Sequence, residues 1–158
     1  MNKSSYIVYA VAAVILQIVF ADMLAVWSVR PDFILILVLY LSVWEGRFFG
    51  VIAGFILGIV VDLFGVASFF GLTALTYCIF SYLVGNLHNR FSKWSPLFFH
   101  GGWVLAIFIH FVIRALVIHQ NLLEQNISIF WGQVGFSVVY TLPFVAIINY
   151  FLPLGRPD

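Results

Sequence analysis

Charge is the scarcest commodity in this chain: Lys, Arg, Asp and Glu make up only 8% of 158 residues, where a soluble domain carries roughly a quarter. So few charges cannot cover a water-facing surface of this size without leaving apolar patches everywhere, which excludes a soluble globular protein. The formal net charge is +1, and Arg90 with Lys93 is the nearest thing to a basic cluster. Phosphate neutralisation takes a basic stripe, so a nucleic-acid binder is excluded too. Cysteine is almost missing. Cys78 stands alone inside an apolar run; no intrachain disulfide and no Cys-based metal site can be built, and the thiol reads as a small buried hydrophobe. A catalytic set is missing as well. No serine has a His and an acid at useful spacing, no phosphate-cradling loop occurs, and Asp22 and Asp62 lie in nothing closer to an intramembrane-protease motif than a bare Gly-x-x-x-Asp. No internal repeat, linker or low-complexity tract breaks the chain, so residues 1–158 read as a single transmembrane domain.

What is abundant is apolar surface, at 64% hydrophobic residues and a mean hydropathy of +1.12. The apolar runs are continuous and do not alternate, which favours membrane-spanning helices over a barrel. The pattern predicts an all-α bundle of six transmembrane helices at about 5–24, 31–44, 47–64, 70–87, 96–119 and 130–152. Helix two is short. A core of about 14 residues rises about 21 Å against a hydrocarbon thickness of ~30 Å, so five spans plus a short or re-entrant helix two is the alternative. With six spans, Lys3, Arg47, Arg90, Lys93 and Arg156 share one side and Arg30 and Arg114 the other, which places both termini in the cytoplasm. Five spans with the N-terminus outside give the same five-to-two bias, because Lys3 and Arg30 exchange sides. The tryptophans favour six: Trp27, Trp44, Trp94 and Trp131 fall at helix ends, where an aromatic belt belongs. Val19-Phe20-Ala21 is a poor signal-peptide cleavage site, and the uncleaved reading fits better. In the six-span arrangement the inner side sums to +3 and the outer to −2, so the near-neutral total hides a polarity across the membrane.

The strongest pattern is a stripe of glycines, Gly46, Gly50, Gly54 and Gly58, at a spacing of four that continues to Asp62. On a helix these stay within one face and let another backbone approach closely, either inside the fold or as a docking face for another protein. Asp62, one step further along, should face a packed neighbour, and Arg30 or Arg114 is its expected counter-ion. Pro31 and Asp32 are expected to start helix two. His110 and Arg114 share a face at a spacing of four, forming a polar strip on helix five. The histidines at 88, 100, 110 and 119 have the wrong spacing to converge on a metal, so no metal and no cofactor is expected.

From Arg30 to about Arg90 the order of features resembles the bacterial rod shape-determining MreD family. The series is Arg30-Pro31-Asp32-Phe33, the apolar run Ile34 to Tyr40, Glu45-Gly46, then Gly50, Ala53-Gly54-Phe55 and Gly58, Asp62-Leu63, and Gly71-Leu72 with Ala74-Leu75. The resemblance implies a non-catalytic inner-membrane component of the cell-elongation machinery that builds lateral peptidoglycan. It also implies a complex with MreC, with MreB, RodA and a class B penicillin-binding transpeptidase nearby, and a fold similar to the six-helix S components of vitamin transporters. That last likeness supplies an alternative, a vitamin-like substrate-binding subunit. Against it, Ala21 and Ala25 make only a weak small-residue stripe on helix one, and the outer loops carry few hydrogen-bonding groups. A lipid- or wall-precursor-handling enzyme would need an acid–base pair that the sequence lacks.

Overall fold

The computed structural model describes residues 3–21, 23–26, 29–64, 69–91 and 93–155. Its helices are α1 (Lys3–Val19), α2 (Phe33–Glu45), α3 (Arg47–Phe64), α4 (Leu72–Gly85), α5 (Pro96–Ile118), a short α6 (Gln120–Gln125) and α7 (Ile127–Phe151). Among the described residues there is no strand, only a bridge pairing Val26 with Val29. The expected positions for Asp22, Trp27 and Arg156 lie outside the described residues. Three helices, α3, α5 and α7, are long and apolar enough to cross a membrane, and three more segments are apolar but shorter: Val8–Val19, Phe33–Glu45 and Leu72–Gly85.

The chain departs from the sequence expectation at several ends. α1 stops at Val19 instead of running to 24, and residues 20–21 form a turn. α4 is shorter than expected because Gly71 takes a left-handed conformation at its N-cap, φ +89°, a geometry that L side chains rarely adopt. α7 begins three residues early, because the Asn126 side chain caps it by accepting from Ile129 N. Asn126 also separates it from α6, a helix that the apolar pattern does not predict.

The short helix is the centre of the molecule. α2 packs against α1, α3 and α4, and its buried residues, among them Ile34, Ile36, Leu39, Tyr40 and Leu41, lie on all sides of the helix. A helix apolar all round belongs inside a bundle, and α2 has no need to match the bilayer thickness because its surroundings are largely protein. The outer helices show the reverse pattern. Val11 and Ile15 on α1, Ile52, Phe55 and Ile56 on α3, and Val139 on α7 are large, apolar and exposed, which suits a lipid solvent.

The glycines set the closest helix contacts. A Cβ at Gly58 would lie 2.7 Å from the Ala74 backbone nitrogen, one at Gly54 would lie 3.0 Å from the Tyr77 carbonyl oxygen, and one at Gly50 would lie 2.9 Å from Ser42 Cα. The stripe therefore faces α4 over two turns and α2 over one. Gly85 of α4 answers it, with a Cβ position 2.6 Å from the Arg47 backbone nitrogen. Gly46 plays a different part: with φ +84° it makes the tight turn from α2 into α3, beside His88.

Candidate functional site

The polar residues gather at the end of the bundle where α2 and α4 begin and α3 and α5 finish. Asp32 is the N-cap of α2: its Oδ1 accepts from the Leu35 N–H at 2.8 Å and from the Tyr77 hydroxyl of α4 at 2.7 Å. Its Oδ2 lies 3.6 Å from an Arg114 guanidinium nitrogen of α5. One buried carboxylate thus ties three helices. Gln17 of α1 adds a fourth, because its Oε1 accepts from the Phe33 N–H at 2.8 Å. Two of the N–H groups that a helix start leaves without internal partners are therefore satisfied by side chains. Pro31 lies just before Asp32, outside α2, so it precedes the helix instead of starting it. Its carbonyl accepts from Gln17 Nε2 at 3.5 Å.

Asp62 is buried in the last turn of α3, where its charge opposes that helix's own dipole. Its carboxylate is instead aimed at the start of α4: Oδ2 accepts from the Gly71 N–H at 2.9 Å and the Ala74 N–H at 3.4 Å. The expected arginine counter-ion is thereby corrected. Arg114 faces Asp32, and Asp62 is held by the positive end of a neighbouring helix, which stabilises a carboxylate as a cap does. Arg30 is exposed at the same end of the bundle.

His110 is buried, stacked on the Tyr77 ring at 5.5 Å between centroids, so the His110–Arg114 strip of α5 looks inward. The other described histidine contacts lie elsewhere. His88 Nδ1 is 2.8 Å from the Val43 carbonyl near the α2–α3 turn, and His100 Nδ1 accepts from Trp103 Nε1 at 3.1 Å. Cys78 Sγ lies 3.7 Å from the Val51 carbonyl, between α4 and α3. At the Gly46 end, the Arg47 and Arg90 guanidinium groups sit over the rings of Tyr82 and Trp94, which keeps these cations at an aromatic rim.

Beside the Asp32 network lies a cavity of about 570 Å³, walled by residues of α1, α2, α3, α4, α5 and α7 and by residues 29–32. Gln17, Arg30, Thr73, Arg114, Gln133 and Ser137 bring polar groups to it, while Val14, Val60, Phe64, Phe111 and Ile118 supply apolar wall. The volume is in the range of small-molecule sites. Tyr77, Thr73 and Gln133 carry no spacing in the sequence that marks them as part of a site. Gln17 does carry a signal, as the sole polar side chain between Tyr9 and Asp22.

Exposed apolar faces on the outer helices, a buried apolar central helix and charged groups near helix ends define a helical membrane protein. The comparisons make that class specific: the model of the family described as rod shape-determining protein MreD matches residues 3–154. The chain belongs to that family, and its role is in rod-shape determination. No curated protein and no solved structure matches the chain.

Proposed function

We propose that this chain is a multi-pass, non-catalytic component of the bacterial inner membrane that scaffolds or regulates lateral peptidoglycan synthesis through a complex with MreC. MreB, RodA and a class B penicillin-binding transpeptidase are the further partners that the family suggests. The observation that carries the reading is the family match over residues 3–154. The geometry agrees with it: among the described residues Asp32 and Asp62 are the buried acids, and each is engaged at a helix start, Asp32 by Leu35, Tyr77 and Arg114 and Asp62, through one oxygen, by backbone N–H groups.

Six spans with both termini in the cytoplasm remain the arrangement we favour. Gln17 in α1 bonds to the start of α2, so the first two helices meet at the Asp32 end. The Gly46 turn lies beside His88, which puts the α2–α3 and α4–α5 connections together at the opposite end. Arg47, Arg90 and Lys93 belong to that second end, and the distribution of basic residues assigns it to the cytoplasm.

The test is affinity capture of the full chain from membranes in mild detergent, with depletion of the protein followed by microscopy of cell shape. MreC is expected in the eluate, and depleted cells are expected to lose their rod form. Rod-shaped depleted cells with no MreC captured would overturn the proposal. The cavity favours a second reading, a vitamin-like substrate-binding subunit of a transporter. Its signature is a vitamin retained by the purified protein and detected by mass spectrometry, with no single-span partner present.

A further inference from the structure

The Arg114 guanidinium lines the cavity and makes no hydrogen bond among the described residues; the acid paired with it, through Asp32 Oδ2, is 3.6 Å away. Asp32 itself is already satisfied by Leu35 and Tyr77 through its other oxygen. A guanidinium presents five N–H donors in a planar fork suited to carboxylate or phosphate oxygens, and here that fork sits in a concave site. An unpaired group shares the wall. The Gln133 side-chain oxygen is buried without a hydrogen-bond partner among the described residues. The Arg114 side chain is 35% exposed, and an occupant that supplied both an anionic oxygen and a hydroxyl would engage its N–H donors and the Gln133 oxygen together. The remaining wall, with Val60, Phe64, Phe111 and Ile118, is apolar and would take a short hydrocarbon portion of the same molecule.

We propose that this cavity binds an amphipathic anion, a phosphate-ester or carboxylate head on the Arg114 guanidinium with a hydroxyl toward Gln133 and an apolar body against α3 and α5. Such a head could belong to an anionic lipid of the surrounding leaflet or to a water-soluble amphiphile. Recognition is the same in both cases, since it depends on the head. The proposal is independent of MreC, because no residue in it is assigned to a protein interface.

The test is native mass spectrometry of the full chain in neutral maltoside detergent, titrated in separate arms with phosphatidylglycerol and with octyl phosphate. Three proteins are compared: the unaltered chain, Arg114→Gln and Ser137→Phe. The second variant keeps the arginine and fills the cavity from α7. Circular dichroism and thermal unfolding establish that each variant is folded. In at least one arm, stoichiometric binding is expected to weaken tenfold or more in both variants. If that arm is phosphatidylglycerol the source is lipid; if it is octyl phosphate alone the ligand is a soluble amphiphile. Binding that is equal in all three folded proteins, or undetectable in the unaltered chain, overturns the proposal. Should Arg114→Gln fail to fold, Ser137→Phe decides alone.

Discussion

Asp32 serves α2, α4 and α5 with one carboxylate, so the way in which it is replaced should matter more than that it is replaced. Asn at this position keeps an oxygen for the Leu35 N–H and the Tyr77 hydroxyl and gives up only the long pairing to Arg114. Asp32→Asn is expected to cost about 1 kcal/mol and Asp32→Ala about 2–4 kcal/mol, because Ala leaves a helix start and a buried hydroxyl without their acceptor and a partly exposed guanidinium without its acid. Thermal unfolding in detergent measures both, and equal losses would contradict the shared-carboxylate geometry. Asp62 leads to a related expectation with a different reason. It accepts from two backbone N–H groups, with Arg114 committed elsewhere, so accepting capacity should dominate over charge. Asp62→Asn should lose under about 1 kcal/mol and Asp62→Leu about 2 kcal/mol. The sequence made Asp62 visible by placing an acid on the glycine stripe. It could not show the partner, because a backbone N–H carries no side-chain signature.

At the scale of elements, six glycines that look alike in the sequence divide by what stands opposite them. A Cβ at Gly50, Gly54 or Gly58 would run into a neighbouring helix, while Gly101, Gly132 and Gly135 have nothing within 4 Å of the Cβ position. One substitution therefore has two signs. Gly58→Ala should force α3 away from α4 and cost about 1–3 kcal/mol, whereas Gly101→Ala and Gly132→Ala, within helices, should be neutral or stabilising by up to about 1 kcal/mol. Unfolding midpoints of the three variants check this, and a uniform effect would show that the stripe is not a packing face. Gly54→Leu, which presses on Ser81 and the Tyr77 carbonyl, should disrupt the α3–α4 pair while leaving membrane insertion intact, since it adds apolar surface. The spacing of four makes this face legible in the sequence alone. Which helix covers it is not legible there, and the answer is divided between α2 and α4. α2 shows the opposite lesson: its shortness draws attention away from its all-round apolarity, which is the informative property. Read by that property, it belongs at the core of the bundle and not at its margin.

For the molecule as a whole, the cavity and the span count are linked through the length of α2. Its 13 residues rise about 20 Å, while the 23 of α5 rise about 34 Å, so the space beyond the start of α2 must be filled by other groups or left open. The residues at that start, Arg30, Pro31, Asp32 and Ile34, line the cavity together with the later turns of α3 and α5. None of this is readable locally, because the wall draws one to four residues from each of six helices together with the 29–32 segment, and no spacing in the sequence marks them as neighbours. The same geometry bears on topology. α1 meets α2 at Gln17 and Phe33, so position 3, at the far end of α1, belongs to the Gly46 end, the end that carries Lys93. Six spans then require positions 3 and 93 to face the same compartment and position 119, at the close of α5, to face the other. In a Cys78→Ala background, Lys3→Cys and Lys93→Cys are expected to resist a membrane-impermeant maleimide in intact cells made permeable only at the outer membrane, and to react after lysis. His119→Cys, at the half-buried end of α5, is expected to react without lysis. Labelling of Lys3→Cys from outside while Lys93→Cys stays protected would leave α2 re-entrant and the span count at five. The basic-residue bias cannot separate these outcomes, since Lys3 and Arg30 carry the same charge and trade places between the two arrangements. A label on position 3 separates them because it follows one terminus alone.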